Sequence, residues 1–230
     1  MIYFKALRQA SFFFTFAAGL LLPAQSKADV EEQSWSSFQI TDQYRENVSL
    51  YGEWINRYSH ESDEFVTQSV RLGLIFKLDE KWSYGFIVES RQTDSSSNDE
   101  MRYINQLSRK WNFDKLALSV RGRYELREFA DSKKIANRLR ALGRVDGTDY
   151  QFWGLTPFAL SEYFYIANSV GSRPEGSTEI RHQIGVARDL LGGVAELGYL
   201  DRTTDVPKYK GNPARKTEYG IANFVLKWSY

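Results

Sequence analysis

Gly220-Ile221-Ala222-Asn223-Phe224-Val225-Leu226-Lys227-Trp228-Ser229-Tyr230 alternates in a way that decides the fold. Gly220, Ala222, Phe224, Leu226, Trp228 and Tyr230 share one face of an extended segment, and Asn223, Lys227 and Ser229 share the other. A strand that is apolar outside, polar inside and closed by an aromatic suits a wall with lipid on one side and a polar interior on the other. It is how outer-membrane barrels of bacteria finish, and it implies a C-terminal strand recognised by the barrel-assembly machinery.

The first residues agree. Residues 1–28 carry Lys5 and Arg8, then an apolar run from Phe12 to Leu22, then Pro23 and the small residues around Ser26 and Ala28. A basic start, an apolar run short for a membrane span and a small-residue cleavage site make a signal peptide. Cleavage is expected after Ala28, with Ser26 the alternative, which leaves residues 29–230 as a single barrel domain. The leader holds Lys5, Arg8 and Lys27 and no acid, so the chain's charge of +1 becomes −2 on its removal. That balance gives no reason to expect a nucleic-acid partner. There is no cysteine, which rules out disulfides and thiolate metal sites. A composition 42% hydrophobic and 15% aromatic also fits a soluble β-sandwich, so alternation carries the argument.

Period-two alternation recurs along the chain between turn signals. Val70, Leu72, Leu74 and Phe76 oppose Ser69, Arg71 and Gly73, and Leu118, Val120, Tyr124 and Leu126 oppose Ser119, Arg121, Arg123, Glu125 and Arg127. Strands are expected over 47–58, 65–78, 81–92, 99–110, 114–128, 134–145, 153–167, 178–189, 192–203 and 216–230. The fold class is therefore all-β, an antiparallel up-and-down transmembrane β-barrel of about ten strands, with twelve possible. The segment 35–40, from Trp35 to Ile40, is also strand-like. Counting it gives eleven, whereas single-chain bacterial barrels normally have an even number.

Tight connections alternate with long polar ones, as expected for inner turns and outer loops. On that assignment Trp82, Trp111, Trp153, Trp228 and Tyr230 collect at the periplasmic rim. An indole or phenol with an apolar body and a polar tip suits that interface.

The polar faces carry many charges. Glu53, Arg57, Arg71, Glu89, Arg91, Glu100, Arg102, Arg121 and Arg123 are expected inside, as are Glu125, Arg127, Arg138, Arg140, Glu162, Glu179, Arg181 and Glu196. On the lipid side each would cost up to a few kcal/mol at mid-depth. Inside, guanidinium forks can pair with carboxylates. They form either a packed network that fills the barrel or a hydrated passage favouring small anions.

The motifs Glu100-Met101-Arg102, Arg121-Gly122-Arg123-Tyr124-Glu125-Leu126-Arg127, Asn137-Arg138-Leu139-Arg140, Glu162-Tyr163-Phe164 and Glu196-Leu197-Gly198-Tyr199-Leu200 resemble an uncharacterised bacterial family, domain of unknown function 2490. The resemblance runs from about Trp35 to Tyr230 and implies a secreted β-rich envelope protein with no assigned activity. The chain is also distantly similar to small monomeric porins for acidic oligosaccharides, whose lumens are arginine-lined. A narrow Arg/Glu-lined channel of weak anion preference, or a structural barrel, is the expected role.

Tyr58-Ser59-His60-Glu61-Ser62-Asp63 resembles the catalytic run of outer-membrane phospholipase A. That resemblance implies, as an alternative, a lipid-directed hydrolase in which His60 activates Ser62. Asp63 and Glu64 depart from the family pattern, and no third member is evident. The two histidines, His60 and His182, are too few for a transition-metal site, and no acidic spacing matches a calcium loop. No cofactor and no metal are expected.

Overall fold

Alternation of the kind seen at 220–230 makes a closed sheet. The computed structural model describes residues 30–94, 98–150, 152–171, 173–190 and 192–229. The proposed signal peptide, Tyr230 and a few loop residues lie outside them. Eleven strands are present among the described residues: β1 Val30–Arg45, β2 Val48–Ser59, β3 Glu64–Lys77, β4 Trp82–Thr93, β5 Glu100–Asn112, β6 Ala117–Phe129, β7 Ser132–Asp146, β8 Thr156–Ile166, β9 Thr178–Leu190, β10 Gly193–Val206 and β11 Arg215–Ser229. Each pairs with its sequence neighbours, and β1 joins β11 to close the barrel. At 11 to 16 residues, each is long enough to cross a bilayer as a tilted strand.

The all-β barrel expected from the sequence is thus observed, with one strand beyond the expected ten. The segment 35–40 is neither a periplasmic nor a lumenal appendage. It is the middle of β1, which pairs antiparallel with β2 and parallel with β11. The parallel seam runs from Val30 opposite Glu218 to Thr41 opposite Ser229. An odd count requires such a seam, because alternating strands bring the last one round in the same direction as the first. The first strand therefore begins at one end of the barrel, and the last strand finishes at the other.

The end carrying Ser229 also holds the connections 46–47, 78–81, 113–116, 147–155 and 191–192, and we call it the turn end. The end carrying Val30 holds 60–63, 94–99, 130–131, 167–177 and 207–214, and is the loop end. Alternation of length is imperfect: 130–131 is a two-residue turn at the loop end, and 147–155 is long. The strand expected from 153 begins at Thr156.

Outward-facing Phe38, Leu50, Trp54, Leu72, Leu139 and Ile184 are exposed, Leu72 to 65%. Apolar side chains exposed on a barrel wall suit hydrocarbon better than water. Inside, a small apolar cluster of Trp35, Leu200 and Ile221 packs β1 against β10 and β11. Glycine is required at Gly185, where a Cβ would lie 2.4 Å from the Leu197 carbonyl oxygen and 2.7 Å from the Phe158 ring.

Candidate functional site: the lumen

Of the seventeen charged residues expected inside, Glu53, Arg57, Arg71, Arg121, Arg123, Arg140, Glu162, Arg181 and Glu196 line one cavity, the others are ion-paired with these or with one another, and the interior divides into two unlike halves. In the loop half, ion pairs follow the strand register. Arg71 bridges Glu53 at 2.7 Å and Glu89 at 2.8 Å. Arg102 reaches Glu89 at 3.1 Å and also pairs with Glu100, which takes Arg127 at 2.8 Å and Arg91 at 3.6 Å. Glu125, fully buried, accepts from Arg138 Nε at 2.7 Å and from Arg140 Nη1 at 2.7 Å. Glu179 pairs with Arg181 and with Arg202, the latter at 3.1 Å. These pairs arise because β-register sets Glu125 beside Arg138, and Arg71 between Glu53 and Glu89.

The 167–177 connection packs against the loop end as well. It turns Val170 onto inward-facing Phe129 and Ala136. Asn168 anchors it, accepting from the Asn137 N–H at 2.6 Å and donating to the Ile135 carbonyl at 2.9 Å. Arg173 stacks over Phe129 at 3.7 Å and pairs with Asp131 at 3.1 Å. Arg102 is 2% exposed and Glu125 0%. Side chains this inaccessible leave no water-wide passage beside them.

The turn half is hollow. A cavity of about 1010 Å³ runs from mid-barrel towards the turn end, with Tyr51, Arg57, Arg121, Arg123, Glu162 and Gln183 among its walls. Nearer the rim, Arg144 pairs with Asp146 at 2.6 Å and Glu196 at 2.8 Å, and Lys227 joins Glu196 at 2.6 Å. At the floor the cations outnumber the acids. Glu162 meets three guanidiniums, Arg140 at 2.7 Å, Arg121 at 3.6 Å and Arg181 at 3.7 Å, of which Arg140 and Arg181 also pair with Glu125 and Glu179. Arg57 stacks on Trp35 at 4.0 Å with its Nε unbonded, and among the described residues Arg123 bonds only Gln106. Neither has a carboxylate of a described residue within ion-pair reach.

Sequence reasoning placed Lys227 on the polar face of the last strand without assigning it a partner, and it missed Arg144 and Arg202. Arg144 lies at the parity of Arg138 and Arg140, so parity carried to the strand end would have found it. Trp82, Trp111 and Trp228 lie on strands at the turn end. Trp153 is at the same end but in the 147–155 connection, 74% exposed with φ 54°.

His60 and Ser62 are not on a strand face. β2 ends at Ser59, and both residues belong to the 60–63 turn. His60 Nε2 is instead hydrogen-bonded to Ser34 Oγ of β1, at 2.6 Å. Among the described residues, no group of His, Asp and Glu could hold a metal ion.

These features define a class: a closed β-barrel with an apolar wall and a charged lumen. The family model described as protein of unknown function, DUF2490, matches residues 32–212, and the chain belongs to that family. No curated protein matches it. Among solved structures it is similar to a NanC porin in a rhombohedral crystal form, with 14% identity and a TM-score of 0.48, over 83% of this chain and 95% of that one.

Proposed function

We propose that this protein is an outer-membrane barrel closed to free diffusion at its loop end, with a vestibule that receives small anions from the turn end. The turn end faces the periplasm, with Trp82, Trp111, Trp153 and Trp228 at the membrane interface. Lipid and the barrel-assembly machinery are its partners, the latter through β11. The observation that carries the proposal is the contrast within one lumen. Glu125 and Arg102 are sealed in a paired network, whereas the cavity ends on arginines that lack equal numbers of acids. A narrow barrel is filled by its own side chains, and a hollow in it takes what its wall charges attract.

Planar-bilayer recording tests this. Refolded wild type is expected to be silent. A Glu89→Ala/Arg102→Ala variant, which removes two neighbouring plugs, is expected to conduct with anions carrying most current. A steady ohmic conductance in wild type would reject closure, and cation selectivity in the opened variant would reject the role of the arginines.

A lipid-directed hydrolase is the alternative, and the Ser34–His60 hydrogen bond is what favours it. The nucleophile would then be Ser34 rather than Ser62. Among the described residues no carboxylate bonds His60 to hold its ring, so the arrangement is a dyad without its orienting acid. Release of fatty acid from phospholipid vesicles by wild type, lost in Ser34→Ala, would establish it. We expect no release above background.

A further inference from the structure

We infer that the floor of the vestibule is a binding site for a small oxyanion, a phosphate or a carboxylate, held by the fork of Arg123 with Arg121 beside it. The inference rests on the vestibule described above and adds its ligand chemistry.

Arg123 is 7% exposed, yet no carboxylate of a described residue lies within 4.0 Å of its guanidinium. Its strand neighbours are Gln106 on β5 and Arg140 on β7, the second a like charge. Arg140 is neutralised by Glu125 and Glu162, so it neither needs nor offers a partner. The one hydrogen bond Arg123 makes with a described residue, from Nε to Gln106 Oε1 at 2.7 Å, fixes the plane of the group. Its terminal nitrogens, without a partner among the described residues, are left to the cavity that Arg123 lines.

A buried cation with no counter-charge is costly, and an anion entering the cavity relieves that cost. The free edge of a guanidinium offers two parallel N–H donors. That geometry matches two oxygens of one carboxylate or phosphate better than a spherical ion.

Arg121 follows on the same face of β6, about 7 Å along the strand by the rise of two residues. Its Nε, unlike that of Arg123, is without a hydrogen bond, and its nearest acid, Glu162 at 3.6 Å, is held more tightly by Arg140. Glu53 and Glu162 line the same cavity but are engaged by Arg71 and Arg140. The floor thus presents two under-compensated guanidiniums, with Ser108 and Ser119 hydroxyls in the same wall.

The test uses the full-length barrel refolded in detergent micelles, titrated with inorganic phosphate or with acetate at constant ionic strength set by chloride. A ligand that binds only the folded barrel raises its unfolding midpoint with concentration. Calorimetry and thermal unfolding should both show saturable binding. Preference for one arm identifies phosphate or carboxylate as the fitted group. Arg123→Gln should weaken that binding at least tenfold while the variant folds, since Arg123 has no ion pair with a described residue. Arg173→Gln, at the loop-end mouth outside the cavity, should leave binding unchanged. Wild type that responds to phosphate and acetate no more than to chloride, or Arg123→Gln that binds as wild type does, would overturn the site. Binding is read without a membrane, so it separates from conductance. A conducting barrel that still binds through Arg123 rejects closure alone, and a silent barrel that binds nothing rejects the site alone.

Discussion

The two halves of the lumen are built from the same residue types on the same strands, yet one is solid and the other hollow. Arg102 and Arg123 show the difference. Arg102 has acids beside it on β5 and across on β4, because Glu100 shares its face and Glu89 is its partner in register. Arg123 has Gln106 on one side and Arg140 on the other. Each also has a like charge in register, Arg127 for Arg102 and Arg140 for Arg123, so a neutral Gln106 in place of an acid such as Glu89 separates a plug from a receptor. Pairing inside a barrel is thus set strand by strand, and a cation surplus can be confined to one level of it.

If the halves differ as described, breaking each should have unequal effects. The largest is expected at Glu125, whose carboxylate holds Arg138 and Arg140 with no exposure. Glu125→Ala leaves two buried guanidiniums short of a partner and should cost about 3–5 kcal/mol. Reversible denaturant unfolding in detergent would measure it. A cost below about 1 kcal/mol would mean that the loop half is hydrated, and the contrast would collapse.

Next comes the 167–177 connection. Val170→Ala strips a buried apolar contact with Phe129 and Ala136 and should cost about 2 kcal/mol in the same assay.

Arg123→Ala sharpens the comparison from the other side. It removes no carboxylate contact and relieves repulsion with Arg140, so stability should change by no more than about 1 kcal/mol. A loss as large as that at Glu125 would show that Arg123 is a structural partner after all.

The smallest effect lies outside the lumen, in the 78–81 turn. The Lys81 and Trp82 backbone N–H groups each donate to Asp79 Oδ1 at 2.7 Å. They hold that carboxyl below its usual range. A depressed acid contributes stability above its unfolded value, near 3.8, and loses it as pH falls through the folded value. Wild type minus Asp79→Ala in unfolding midpoint should therefore be constant near neutral pH and shrink below about pH 4. A difference that grows on acidification would contradict the assignment.

Much of this was legible from parity alone. Seventeen charged side chains were placed inside because a one-residue slip would put them all in lipid. What parity cannot tell is which charge meets which. Glu125 and Arg123 look equivalent in sequence, and only the offset between β6 and β7 sets Arg138 beside the one and Arg140 beside the other. β1 escaped the strand count for a related reason. Its outer face reads Ser34, Ser36, Phe38, Ile40, so two serines dilute the apolar signal, and the parallel seam leaves no mark in the sequence. The partner of His60 was hidden likewise. Ser34 is 26 residues earlier, brought over only by pairing of β1 with β2.

The parallel seam also constrains how this chain could be re-engineered. In a barrel of even count both termini return to one rim, where a short linker can join them and new ends can be cut elsewhere. Here Val30 and Ser229 lie at opposite ends of twelve paired positions. A joining segment would have to travel about 40 Å, at about 3.3 Å per residue, through the charged lumen or along the hydrocarbon face. Circular permutation with a short linker is therefore closed to this fold. Reporters fused at the two ends of the barrel would lie at its opposite rims.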